Sequence, residues 1–274
     1  MKLSVLTDQI SRDLDTACEQ ITSWGGRTVE LRNVGEGPVG SNLAPGFLGD
    51  LCAALERWDV RVAAIAPQAF KLATSDASMR YHRRILLPAS LHLAVMLKAQ
   101  VVHVGAPLRP VGATGPCPDE ALEILAEAAE LAGNLGLILG LENAVGSWAG
   151  SGSEAAAIVK TIGHHAFQLT WDPAAGLLVG EAPFPAYQVV RSRLVSIRLR
   201  DVRLVGCSVQ DVLPGDGQGM VSELLTALAT DCFAGTVALD PHLTPRLEGS
   251  RASFESTVKL MMAAERAVRK MDDR

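Results

Sequence analysis

Short apolar runs recur along the chain, each followed by a longer stretch in which apolar positions return every three or four residues. The runs fall at residues 3–6, 28–31, 60–65, 101–104, 137–141, 167–171, 194–199 and 236–239. Between them, "PDEALEILAEAAELAGNLG" places Leu122, Ile124, Leu125, Ala128, Ala129 and Ala132 on one stripe. Asp119 and Glu120 sit at its beginning, where the helix dipole favours negative charge. In "SGSEAAAIVKTIG", Ser151 or Ser153 is expected to cap a helix and Gly163 to end it. Regular strand–helix alternation implies a parallel sheet with helices outside. Eight repeats predict an α/β chain closed into a (β/α)8 TIM barrel, one domain over residues 1–274. No GxGxxG follows the first run, so no nucleotide cofactor is expected. Clusters of glycine and proline ("GEGPVG", "GATGPCP", "GLLVGEAPFP", "LPGDGQG") follow strands, as loops at one barrel face should.

A barrel strand sends alternate side chains toward the helices and toward the interior. In "LVSIRLRDV", the apolar set Val195, Ile197 and Leu199 should face the helices, which turns Ser196, Arg198 and Arg200 inward. The same parity sends Glu142 inward from "ILGLEN" and Thr170 and Asp172 inward from "FQLTWD". It does the same for Asp240 in "TVALD", Glu30 and Arg32 in "TVELR", and His103 in "VVHVG". The charges fall at the C-terminal strand ends, the face that carries active sites in such barrels. Charges converging there need a cation, a ligand or one another.

Composition narrows the function. The 274 residues are 48% hydrophobic and 20% charged, enough for a full core, and the net charge of −5 argues against nucleic acid as a partner. Cys18, Cys52, Cys117, Cys207 and Cys232 are scattered with no CxxC pair. That pattern suits reduced thiols and a cytoplasmic location. No apolar run approaches the ~20 residues of a membrane span, so no membrane partner is expected.

The ordered motifs "TDQISRDLDTACEQITSWGGRTVELRNV", "IAPQAFK", "LGLEN", "GSGSEAA", "TWDPAAGLLVGEAPFP", "IRLRDV", "LPGDGQG" and "ALDPHL" resemble the sugar phosphate isomerase/epimerase family, the xylose-isomerase-like barrels. The resemblance runs over nearly the whole chain and implies the same barrel. It implies a divalent cation (Mn, Mg, Co or Zn) in the mouth, with Glu142, Asp172 and Asp240 at ligand positions. It implies proton abstraction beside a carbonyl of a ketose or related polyol, with Glu142 and Asp240 as the catalytic carboxylates. The partner would be a small sugar-like molecule, and relatives of this kind often form homo-oligomers.

The chain departs from that pattern where the family carries a histidine ligand, because Arg198 is there, followed by Arg200 and Asp201. Arginine has no lone pair for a metal and stays protonated. Two readings follow. One is a metal-assisted isomerase or epimerase. The other is a metal-free, degenerate barrel that binds a sugar-like molecule, with Arg198 bridging Glu142 and Asp172 or Asp240 in place of the metal charge. A dehydratase of cyclic polyols shares the proton-abstraction step. Glu30, Lys71, His103, Asn143, Arg198, Arg200 and His242 are the expected substrate contacts. "PGDGQG" offers a backbone cradle for phosphate, which Asp216 disfavours.

Overall fold

The computed structural model describes residues 1–41, 44–206 and 208–272. Eight parallel strands form the barrel: β1 (Lys2–Leu6), β2 (Thr28–Leu31), β3 (Arg61–Ile65), β4 (Val101–Gly105), β5 (Ile138–Glu142), β6 (Phe167–Trp171), β7 (Leu194–Leu199) and β8 (Thr236–Leu239). Neighbours in sequence pair with one another and β8 returns to β1, so closure leaves no open edge. Every expected apolar run is a strand, with ends displaced by no more than about a residue.

The helices outside are α1 (Leu14–Ser23), α2 (Pro45–Arg57), α3 (Leu87–Met96), α4 (Asp119–Asn134), α5 (Gly152–Ile162), α6 (Pro183–Val190), α7 (Val221–Thr230) and α8 (Arg246–Asp272). Local chemistry sets their ends. In α5 the cap is Ser151 rather than Ser153: its hydroxyl accepts from the Glu154 backbone N–H while Glu154 reaches back to the Ser151 N–H. Gly163 closes that helix at φ 65°, a left-handed conformation that suits glycine. Ser151→Ala should therefore lower stability by about 1 kcal/mol, read as a shift of the urea midpoint at constant slope.

Two antiparallel ribbons interrupt the repeat. One pairs Asn33–Val34 with Gly37–Pro38, and the other pairs Asp201–Val205 with Ser208–Val212 between β7 and α7. Among the described residues no helix is long and apolar enough to cross a membrane. Cys18, Cys52, Cys117 and Cys232 are free thiols, and Cys207 lies outside the described residues.

The two strand faces bury different things. Val29, Leu31, Val102, Val104, Leu139, Leu141, Phe167, Leu169, Trp171, Ile197, Leu199, Val237 and Leu239 form the apolar layer under the helices. The interior carries Ser4, Glu30, Ala64, His103, Gly140, Thr170, Ser196, Arg198 and Ala238, also out of water. Registers that place Ser4 beside Ala238, Ala238 beside Arg198 and Gly140 beside His103 stack these residues across the barrel. Small residues make room for the large polar ones. At Gly140 an added Cβ would run into the Thr170 hydroxyl and the His103 ring.

Candidate active site at the barrel mouth

The floor of the mouth is built around one arginine. Arg198 comes from the inward face of β7 and is almost wholly buried. Its Nη1–H donates to Glu30 Oε2 on β2 at 2.7 Å. Glu30 also accepts from Ser4 Oγ at 3.4 Å and has His103 Nε2 at 3.3 Å. His103 Nδ1 lies 2.6 Å from the Thr170 hydroxyl, which suits a tautomer whose Nε2–H faces Glu30. Burial raises the Glu30 carboxyl, but Arg198 and His103 outweigh that and hold it at about 2.

Above the floor stand three carboxylates, each with its own cation. Glu142 ends β5 with Oε1 3.4 Å from Lys71 Nζ and Oε2 3.6 Å from Arg198 Nη2. Burial pushes its carboxyl up; Lys71, Arg198 and His103 pull it down to about 2, against a smaller push from Asp240. Lys71 arrives on a turn whose Gln68 and Phe70 both have positive φ, with the Phe70 N–H donating to His82 Nδ1 at 2.9 Å.

Asp240 follows β8. It is forked by Arg32, at 2.7 and 3.1 Å, and accepts from Gln9 Nε2 at 2.6 Å. His242 Nε2 lies 3.1 Å from the same carboxylate. Burial opposes ionisation of Asp240, but the His242 hydrogen bond and Arg32 hold its carboxyl well below the usual range. That hydrogen bond in turn raises His242. The back of the Arg32 fork is fixed by Asp8, which accepts its Nε–H at 2.9 Å and the Asn33 amide at 2.5 Å.

Asp172 follows β6 and caps the short helix Pro173–Leu178, accepting the Ala175 N–H at 2.9 Å. Its other oxygen takes the Arg200 Nε–H at 3.1 Å. Here burial prevails and the carboxyl is raised, with Arg200 opposing.

Of the residues the sequence placed at the mouth, Lys71, Glu142, Asp172, Arg200, Asp240 and His242 stand there, and Glu30, His103 and Arg198 lie in the layer directly beneath. Several roles differ from expectation. Glu30 and His103 are sealed beneath the mouth, so they hold Arg198 rather than touch a substrate. Asn143, expected as a substrate contact, is buried. It exchanges hydrogen bonds with the Asp172 backbone at 2.9 and 2.7 Å and fastens the ends of β5 and β6 together. Arg198 bridges Glu30 and Glu142, not Glu142 and Asp172 or Asp240, because Arg200 and Arg32 already occupy those two acids.

The glycine loop holds no phosphate cradle either. The N–H groups of Gly215, Gly217 and Gly219, with that of Val202, all donate at 2.9 Å to buried Asp201. Asp8 and Gln9 are functional neighbours that parity reasoning missed. They lie in the 3-10 turn Thr7–Gln9 just past β1, where the strand-end rule applied elsewhere could have found them.

A divalent ion held by Glu142, Asp172 and Asp240 does not fit these residues. Such an ion takes about six oxygen ligands with free lone pairs. Here the oxygens of all three acids face N–H donors, and the Arg198 guanidinium stands 3.6 Å from Glu142. Among the described residues no group of three His, Cys, Asp or Glu could hold a metal. What the site can do is stabilise negative charge on a ligand oxygen. Lys71, part-exposed, and Arg198, buried, are pre-positioned cations on either side of the Glu142 carboxylate.

Comparison with known proteins agrees with this architecture. The xylose isomerase-like TIM barrel family model matches residues 18–260. A xylose isomerase-like TIM barrel protein from Mycobacterium smegmatis, in complex with magnesium, superposes with TM-score 0.76 at 16% identity, over 92% of this chain and 89% of that one. An L-ribulose 3-epimerase gives 0.78 at 12% identity, over 99% and 98%. The IOLI protein, with a zinc atom, gives 0.76 at 17% identity, over 96% and 99%. At these identities the likeness carries the fold alone. A search among curated proteins finds no match.

Proposed function

The chain belongs to the xylose isomerase-like TIM barrel family, and on that premise we propose that its mouth binds a small sugar-like molecule and isomerises or epimerises it at the carbon beside a carbonyl. The observation that carries this reading is Glu142, an ionised carboxylate at the open end of β5 with Lys71 Nζ 3.4 Å away. Glu142 takes the proton from the carbon. The C–H electrons form the C=C bond, and the carbonyl oxygen becomes an enediolate oxygen beside Lys71 and the field of Arg198. For isomerisation, the hydroxyl proton of the enediolate passes to the former carbonyl oxygen, the new C=O forms on the carbon that lost its hydrogen, and Glu142 returns the proton to the neighbouring carbon. For epimerisation the proton must arrive on the opposite face. Asp240 itself is clamped by Arg32 and Gln9, so the exposed group on that wall is His242, whose basicity the Asp240 hydrogen bond raises.

The test is incubation of a ketose panel in D2O, following loss of the C–H signal by proton NMR. The reading expects exchange with one or more ketoses, reduced roughly 100-fold or more by Glu142→Gln. No exchange with any ketose, or exchange indifferent to Glu142→Gln, would sink it. A product lighter by one water would assign the same proton abstraction to a dehydratase.

A second reading, a barrel that binds a sugar-like molecule without turnover, has one observation in its favour. A carboxyl held at about 2 is a weak base. It expects saturable binding by calorimetry with no C–H exchange.

A further inference from the structure

The strongest disagreement between this mouth and a metal-dependent one lies at Arg198, and the layer beneath explains its purpose. The guanidinium lies between Glu30 on β2 and Glu142 on β5, 2.7 and 3.6 Å away. It has almost no contact with water. Burying a guanidinium costs several kcal/mol in desolvation even when it is paired, so an arginine held only for stability could be replaced by apolar residues at little loss.

Here the fold commits a whole interior layer to keeping it in place. Ser4 and His103 both face the Glu30 carboxylate, Thr170 fixes the His103 ring, and Gly140 leaves space for that ring and hydroxyl. Five different strands, β1, β2, β4, β5 and β6, thus support one positive charge projecting from β7. The same charge lies beside Glu142, the group that faces the ligand.

We infer that Arg198 is the permanent cation of the site: it stands where the resemblance puts a divalent ion, pairs with Glu142 and lends its field to the developing enediolate, so that the mouth works without metal. Arg198 is a positioning residue in this scheme, since it acts through Glu142 and reaches the ligand by its field. Lys71 supplies the accessible donor. The inference rests on the proposed reading for the enediolate, but its claim about the ion stands apart and is tested apart.

Mn2+ titration of the whole protein, followed by electron spin resonance of the free ion, reads that claim with no substrate present. The parent protein is expected to leave Mn2+ free. Arg198→His, which exchanges the guanidinium for a neutral metal ligand, is expected to bind Mn2+ at least roughly tenfold more tightly. Should that variant be unfolded by circular dichroism, the charge-balanced pair Arg198→Met with Glu30→Gln is held to the same criterion. Stoichiometric Mn2+ on the parent protein, lost in Glu142→Gln, overturns the inference. Equal Mn2+ affinity with and without the guanidinium also overturns it, because something else then excludes the ion.

The ketose exchange assay separates the two levels. Exchange by the parent protein that persists after exhaustive removal of metal supports the inference, and exchange that appears only on adding Mn2+ overturns it. If no ketose exchanges at all, the proposed isomerase reading fails, and the Mn2+ titration still decides whether Arg198 holds the ion's place.

Discussion

Glu30→Gln should destabilise the protein by roughly 3–5 kcal/mol, because it leaves Arg198 as a buried charge without its closest counter-ion. The change keeps the size of the side chain, so packing is nearly preserved and the loss is electrostatic. Guanidinium chloride denaturation with an unchanged slope would read it as a lowered midpoint. Adding Arg198→Met should recover most of the loss, since the pair is then absent rather than broken, and the double-mutant cycle gives the coupling directly.

The pH dependence has a definite sign. The Glu30 carboxyl is held at about 2 in the folded protein, against an ordinary value of 4.5. The stabilisation is therefore complete above about 4.5 and is lost as the pH falls from there toward 2. Glu142 titrates the same way and Asp172, whose carboxyl is raised, the opposite way. Acid unfolding of Glu30→Gln should consequently be shallower over that window than in the parent protein. An acid profile identical in the two proteins would mean that the ion pair does not contribute.

Asp201→Asn should cost on the order of 4 kcal/mol and loosen the loop after β7. Asp201 is fully buried and accepts four backbone N–H groups, two on each oxygen. Hydrogen bonds to a charged acceptor are the stronger kind, and an asparagine amide would point donors at donors on one side. Local opening is the specific signature. Amide hydrogen exchange at Gly215, Gly217 and Gly219 should accelerate by orders of magnitude while strand amides in β4 and β5 stay protected at low denaturant. Protection retained at those three glycines would show that the loop is shaped by other contacts.

The barrel was legible because its signal is periodic. Alternation in "LVSIRL" told Arg198 and Ser196 from Ile197 and Leu199, and the eight apolar runs gave strands and order. The membership of the mouth was legible for the same reason: parity names which side chains point inward, whatever they do there. Pairing was not legible. Four guanidinium and ammonium groups meet six carboxylates, Asp211 among them, and which meets which depends on the tilt of strands and on side-chain reach. Arg32 reaches from β2 across to Asp240 after β8, 208 positions away in sequence. The depth of each residue was also hidden. Glu30 and Arg32 share parity on adjacent inward positions, yet one is sealed in the floor and the other stands in the wall. The Gly-rich segment misled for a related reason: a row of backbone N–H groups suits any anion, and the one it meets is the protein's own Asp201.

The column of Arg198, Glu30, His103 and Thr170 also has a kinetic meaning. Glu30 and Arg198 are 168 positions apart, and the column draws on strands from both halves of the chain. Half a barrel can form β1 to β4 locally, but it cannot complete this column. Contacts of such long sequence separation come late, after the loop-closure entropy has been met. The contact is therefore expected to form after the local strand–helix units, with the ion pair losing its water as the strands shut around it. Any form of the chain in which β2 and β7 are not yet held in one ring lacks this buried pair, so the mouth is a property of the closed barrel and of no part of it.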